Sequence, residues 1–82
     1  MRQDTIPFME RFTLPIIVEQ DADGFHVTCP LLQGCYSQGV TYEEAVKNIK
    51  DAIRLHLEDR RANHESIPVQ KSLSLSTVEV LI

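Results

Sequence analysis

The feature that most constrains this chain is Thr41-Tyr42-Glu43-Glu44 and the apolar stripe that follows it. The Thr41 hydroxyl is placed to accept from the Glu44 amide, and the Glu44 side chain to reach back to the Thr41 amide. Two donors that a helix start leaves orphaned are thereby satisfied reciprocally. Downstream, Tyr42, Ala45, Val46, Ile49, Ala52, Ile53, His56 and Leu57 recur at steps of three and four. That spacing predicts one apolar face on a helix of about five turns. Glu43, Lys47, Lys50, Asp51, Arg54 and Glu58 take the opposite face, with Glu43 and Lys47 in the favourable i,i+4 order. Arg60 and Arg61 sit where the helix dipole favours cations. His56 falls inside the stripe as a core-edge side chain, whereas Leu55 falls outside it and has no place in the chain's own core.

An amphipathic helix needs an apolar surface to lie on, and the residues before it supply strands. Between Arg11 and Gln20, Phe12, Leu14, Ile16 and Val18 alternate with Thr13, Pro15, Ile17 and Glu19, the period of two of a half-buried strand. Pro15 cannot donate to a ladder, so a bulge or an open edge is expected there. Gln20-Asp21-Ala22-Asp23-Gly24 predicts a hairpin turn, after which Phe25 to Cys29 forms the returning strand and Pro30 stops it. Cys35 to Gln38 forms a third short strand that Gly39 ends. Residues 62–72 form a polar connector containing Pro68. In Thr77-Val78-Glu79-Val80-Leu81-Ile82 the side chains of Val78, Val80 and Ile82 are in phase, which predicts a final strand. The order is β-β-β-α-β, an α+β layer with one helix on one face of a sheet. The first ten residues are expected to form an N-terminal arm, and all 82 residues one domain, since two cores would each be too small.

Charge narrows the function. Eight Lys and Arg against twelve Asp and Glu give a net charge of −4. Phosphate neutralisation needs clustered cations, so direct nucleic-acid binding by this chain is not expected. An acidic surface instead suits a basic protein partner. No apolar run approaches the roughly 20 residues that span a bilayer, and Met1 to Glu10 lacks the apolar core of a signal peptide, which together point to the cytoplasm. In that reducing compartment Cys29 and Cys35 are expected as free, partly buried thiols. With His26 they match no structural zinc spacing, so neither metal nor cofactor is expected.

Catalytic signatures do not appear. The serines at 72, 74 and 76 lie outside any nucleophile elbow, and there is no phosphate loop and no His-Glu-x-x-His. Gly24, Gly34 and Gly39 stand where the backbone must turn. The residues themselves describe a non-enzymatic binding module.

The stretch Asp23-Gly24-Phe25-His26-Val27-Thr28-Cys29-Pro30, then Gly34-Cys35, then Gly39-Val40-Thr41-Tyr42-Glu43-Glu44-Ala45, resembles the HicB family of antitoxins. The likeness covers about residues 12 to 59, and Pro68 sits where that family often has a proline after its helix. It implies a partial ribonuclease-H-like fold and a type II toxin–antitoxin role: binding and neutralising a small, basic, HicA-like toxin that cleaves mRNA. The family pattern falls on Gly24, Pro30, Gly34, Gly39, Thr41 and Glu44, each of which already has a backbone reason, so these mark the fold. Many HicB proteins continue into a DNA-binding domain, for which this sequence, ending at Ile82, is expected to have no room. Two other readings compete with the antitoxin: a solitary regulatory or scaffold domain without a toxin, and a metal-dependent nuclease. The nuclease would need convergent carboxylates, and the first strand carries only Glu19, at its end.

The last strand also bears on assembly. Val78, Val80, Leu81 and Ile82 form an apolar terminal edge with no polar tail to shield it, an aggregation hazard unless paired. With Leu55 they are the expected contacts of a homodimer or higher oligomer. The competing expectation is that the strand pairs inside its own sheet beside the first strand.

Overall fold

The structure of the protein, a computed structural model, describes residues 10–68 and 72–82. The expected arm over the first ten residues therefore lies outside the described residues, except for Glu10. Three strands, β1 (Ile17–Asp21), β2 (Gly24–Thr28) and β3 (Tyr36–Gly39), form an antiparallel meander in the order β1-β2-β3. The helix α1 (Tyr42–Ala62) packs over β3 and β2 and stops short of β1.

The β1–β2 hairpin closes on the pair Asp21–Gly24 and runs back to Ile17–Thr28. Its turn is made locally: the Asp23 amide donates to Asp21 Oδ1 at 2.8 Å, an Asx turn. Gly24 has φ +138°, and a Cβ there would stand 2.6 Å from the Gly39 carbonyl oxygen on β3. Gly39 in turn lies under the helix start, where a Cβ would come within 2.5 Å of the Ala45 nitrogen. Two side-chain-free positions thus let hairpin, β3 and α1 close on one another at a single corner. Between β2 and β3 the loop is stitched by its backbone, the Cys29 amide donating to the Cys35 carbonyl at 3.0 Å and the Cys35 amide to the Leu32 carbonyl at 3.1 Å.

The core follows from this arrangement. Val27, Cys29, Leu32 and Cys35 from the sheet side meet Ala45, Ile49 and Leu57 of α1, all buried, and no polar or charged side chain is buried among the described residues. Phe12, Leu14, Ile16 and Val18 pack against this cluster, so the face assigned by their alternation is correct. The ladder itself is shorter than the alternation. It starts at Ile17, because Pro15 has no amide to donate and the chain before it runs alongside without pairing. Strands β2 and β3 each differ from expectation by one residue at either end: the ladder takes in Gly24 and Gly39, and Cys29 and Cys35 fall in the loop, where the Cys29 amide donates to the Cys35 carbonyl.

The helix start matches the sequence reading in one half. The Glu44 amide donates to Thr41 Oγ1 at 3.1 Å, but the Glu44 carboxylate accepts from the Val40 amide at 2.7 Å, not from that of Thr41. Val40 has just left β3, so its orphaned donor is the one within reach. The helix end carries a Schellman motif: the Glu65 amide bonds the Arg60 carbonyl at 2.8 Å and the His64 amide bonds the Arg61 carbonyl at 3.1 Å. His64 occupies the left-handed position with φ 59°, where glycine is usual. Ala62, assigned to the connector from sequence, is the last residue of α1.

The expected final strand is not formed within the protomer. Thr77 to Ile82 belong to no ladder and are exposed throughout. A strand exists only against a neighbour's backbone, and here the segment does not return to its own sheet. The radius of gyration is accordingly 16.6 Å, against roughly 12 Å for a compact chain of this length.

Candidate functional site

The six family-pattern residues divide between the two ends of β2. Gly24, Gly39, Thr41 and Glu44 gather at the corner where hairpin, β3 and the helix start meet, through the close approaches and capping bonds described above. Pro30 and Gly34 lie in the β2–β3 loop, past the other end of β2. Their roles are turning and capping the backbone. Leu55 is 63% exposed on the side of α1 away from the core, and Val78, Val80, Leu81 and Ile82 are exposed in the terminal segment, so the protomer brings none of these five together.

A feature the sequence reading missed is an apolar groove of about 1070 Å³ between α1 and the unpaired residues that lead into β1. Phe12, Leu14 and Ile16 form one wall, and Tyr42, Val46, Ile49, Ile53 and Leu57 of α1 form the other. The signal was present: the alternating face begins five residues before the ladder does, so part of it had to face something other than a paired strand. The groove exists because α1 covers β2 and β3 only. One end is held by Arg61, whose guanidinium donates to Glu10 at 3.3 Å and stands 5.8 Å from the centre of the Phe12 ring. Along the rim, Arg11, Lys47, Lys50, Arg54 and Arg61 face Glu10, Glu43, Asp51 and Glu58, and Asp51 pairs with Arg54 at 3.0 Å. Five cations against four anions leave the rim with a single net positive charge.

The ionisable side chains serve the fold. Cys29 and Cys35 are both free and buried, and burial, with Cys29 close by, pushes the Cys35 thiol above its ordinary value of 9.0. A thiol held protonated is a poor nucleophile and a poor metal ligand. Asp21 binds the Asp23 amide and pairs with His26 Nε2 at 3.0 Å, which lowers its carboxyl below 3.8 despite some desolvation. Glu43 and Glu44 belong to the first turn of the helix, where the Glu44 carboxylate is taken up by the Val40 amide. No three His, Cys, Asp or Glu side chains converge on a common point among the described residues, and none of the described helices is long and apolar enough to cross a membrane.

Comparison with known proteins places this architecture. The profile of the HicB-like antitoxins of bacterial toxin–antitoxin systems matches residues 14–79. The chain belongs to the HicB-like antitoxin family. Similar proteins include a UPF0150 protein of Synechocystis, 35% identical over 95% of this chain and 99% of its own length. A UPF0150 protein of Helicobacter pylori is 39% identical over 78% of this chain and 89% of its own, and one of Thermoplasma acidophilum is 44% identical over 65% and 78%. No solved structure matches. The HicB-like region takes in the meander, the helix, both walls of the groove except Phe12, and the terminal segment as far as Glu79.

Proposed function

We propose that this HicB-like chain is the antitoxin of a type II pair and neutralises a small, basic, HicA-like mRNA-cleaving toxin by binding it directly, without chemistry of its own. The observation that carries the reading is the family match over residues 14–79. The surface supports it: each acidic residue among those described is exposed, so the negative charge they carry is available to a basic partner and would steer its approach. The net charge of −4 also argues against binding the transcript itself. The pair would act in the cytoplasm, where mRNA is found.

The test is co-expression with a small, basic, HicA-like protein. Growth arrested by that protein alone should resume when both are made, and the two chains should co-purify through a tag on either one. Continued arrest with both proteins soluble, or separation of the chains on the tag, would contradict the proposal.

A further inference from the structure

Within a single chain the structure leaves an apolar terminal segment without a sheet and the β1 edge of the sheet without a neighbour. The segment is residues 77–82, where Val78, Val80 and Ile82 share one face, Val78 is 84% exposed, and Glu79 is the one charge. The opposite edge, on β3, lies against α1, where Asn48 Nδ2 takes up the Gln38 carbonyl at 2.8 Å. On β1 the register puts Ile17, Glu19 and Asp21 in hydrogen-bonded pairs with β2, so the amides of Val18 and Gln20 point outward. That edge has no lysine to guard it, and the groove beside it is apolar.

We propose that residues 77–82 of a second copy of this chain add a fourth strand to the open edge of β1 and fill the groove, and that the exchange is reciprocal, giving a strand-swapped dimer.

Dimensions agree. The helix wall from Tyr42 to Arg61 is about 28 Å long at 1.5 Å per residue, and a six-residue strand needs about 20 Å. Side chains two apart on a strand, about 6.6 Å, meet helix positions about 5 Å apart, so Val78, Val80 and Ile82 can lie over Val46, Ile49 and Ile53. The rim's single net positive charge suits an apolar segment whose one charged side chain is Glu79, and disfavours a basic toxin. The same pairing within one chain would give a closed monomer, but the segment stands away from its own sheet. Exchange of an identical element between protomers makes every contact twice and removes both free edges at once. Six residues with four large apolar side chains on each arm, together with the groove walls they cover, are enough for an interface of the roughly 1,200–2,000 Å² that stable pairs bury.

Sedimentation equilibrium of the full chain at micromolar concentration should give twice the protomer mass of 9.4 kDa. Val80→Asp, at a position exposed in the protomer and therefore harmless to its fold, should return the mass to that of one chain. Circular dichroism should show the helix intact. Amide exchange at Val18 and Gln20 should be at least about tenfold slower in the wild type than in V80D, as expected of backbone that pairs only in the dimer. A monomeric wild type would overturn the proposal, whether those amides are protected by the chain's own arm or not protected at all. So would a dimer in which they exchange as fast as in V80D, which would place the interface elsewhere. Protection that arises only when toxin is added would assign the groove to the toxin.

Discussion

Replacing Gly39 with alanine puts a methyl group 2.5 Å from the Ala45 nitrogen and 3.0 Å from the Glu44 carbonyl carbon, both backbone atoms of the first helical turn. Ordinary contacts of this kind lie near 3.5–4 Å, so the helix start must retreat by about 1 Å. Overpacking of this order costs about 1–3 kcal/mol. The retreat also strains the bonds that tie α1 to β3, from Ser37 Oγ to the Ala45 carbonyl at 3.1 Å and from Asn48 Nδ2 to the Gln38 carbonyl at 2.8 Å, each worth about 1 kcal/mol. A loss of about 2–4 kcal/mol is therefore expected, against a total of roughly 4–12 kcal/mol for a domain of this length. Gly34→Ala is the matched control. Its φ of +77° strains an alanine, as the backbone at Gly39 does not, but nothing lies within 4 Å of the added Cβ, so only backbone strain of about 1 kcal/mol applies. Urea unfolding of both variants followed by circular dichroism separates the two causes. Equal losses for the two would show that close approach at Gly39 does not set the helix on the sheet, and the argument for that corner would fail.

Thr41→Ala removes the hydroxyl that caps the Glu44 amide and should cost about 1 kcal/mol, a fall of about 4–8 °C in Tm; calorimetry showing no change would refute the cap. His64→Gly relieves a left-handed residue at the Schellman position, worth about 1–2 kcal/mol less about 0.4–1 for the freer unfolded chain. A small net gain in urea midpoint is expected, and a loss would mean the imidazole contributes more than its strain costs. Asp21 has a folded pKa lowered below 3.8 by the Asp23 amide and by His26. Its contribution is complete above 3.8 and is lost as the pH falls through the lowered value. Asp21→Asn should therefore flatten the acid limb of the stability–pH curve, and an unchanged limb in acid titrations would contradict the assignment.

Local chemistry was legible in the sequence wherever neighbours along the chain decide it. The cap at Thr41, the turn at Asp23-Gly24 and the helix stripe needed only spacing. What escaped has a common physical cause, that it is decided by groups not adjacent in sequence. Glu44 chose the Val40 amide because β3 ends there. The helix terminates at a histidine because the Schellman bonds outweigh one strained φ, and no glycine announces it. The alternation from Phe12 to Val18 shows which face is apolar but not that the first half of it faces a groove. In Thr77 to Ile82 the same kind of alternation shows a strand's face without specifying which sheet receives it.

The antitoxin role itself is tested most directly by titrating the purified toxin with this chain and following cleavage of an mRNA. The account predicts that cleavage stops at a fixed stoichiometric ratio, that the protein alone leaves the RNA intact with or without magnesium, and that the two proteins migrate as one complex at the endpoint. Cleavage that continues undiminished in excess of this chain, with both proteins folded, would contradict it.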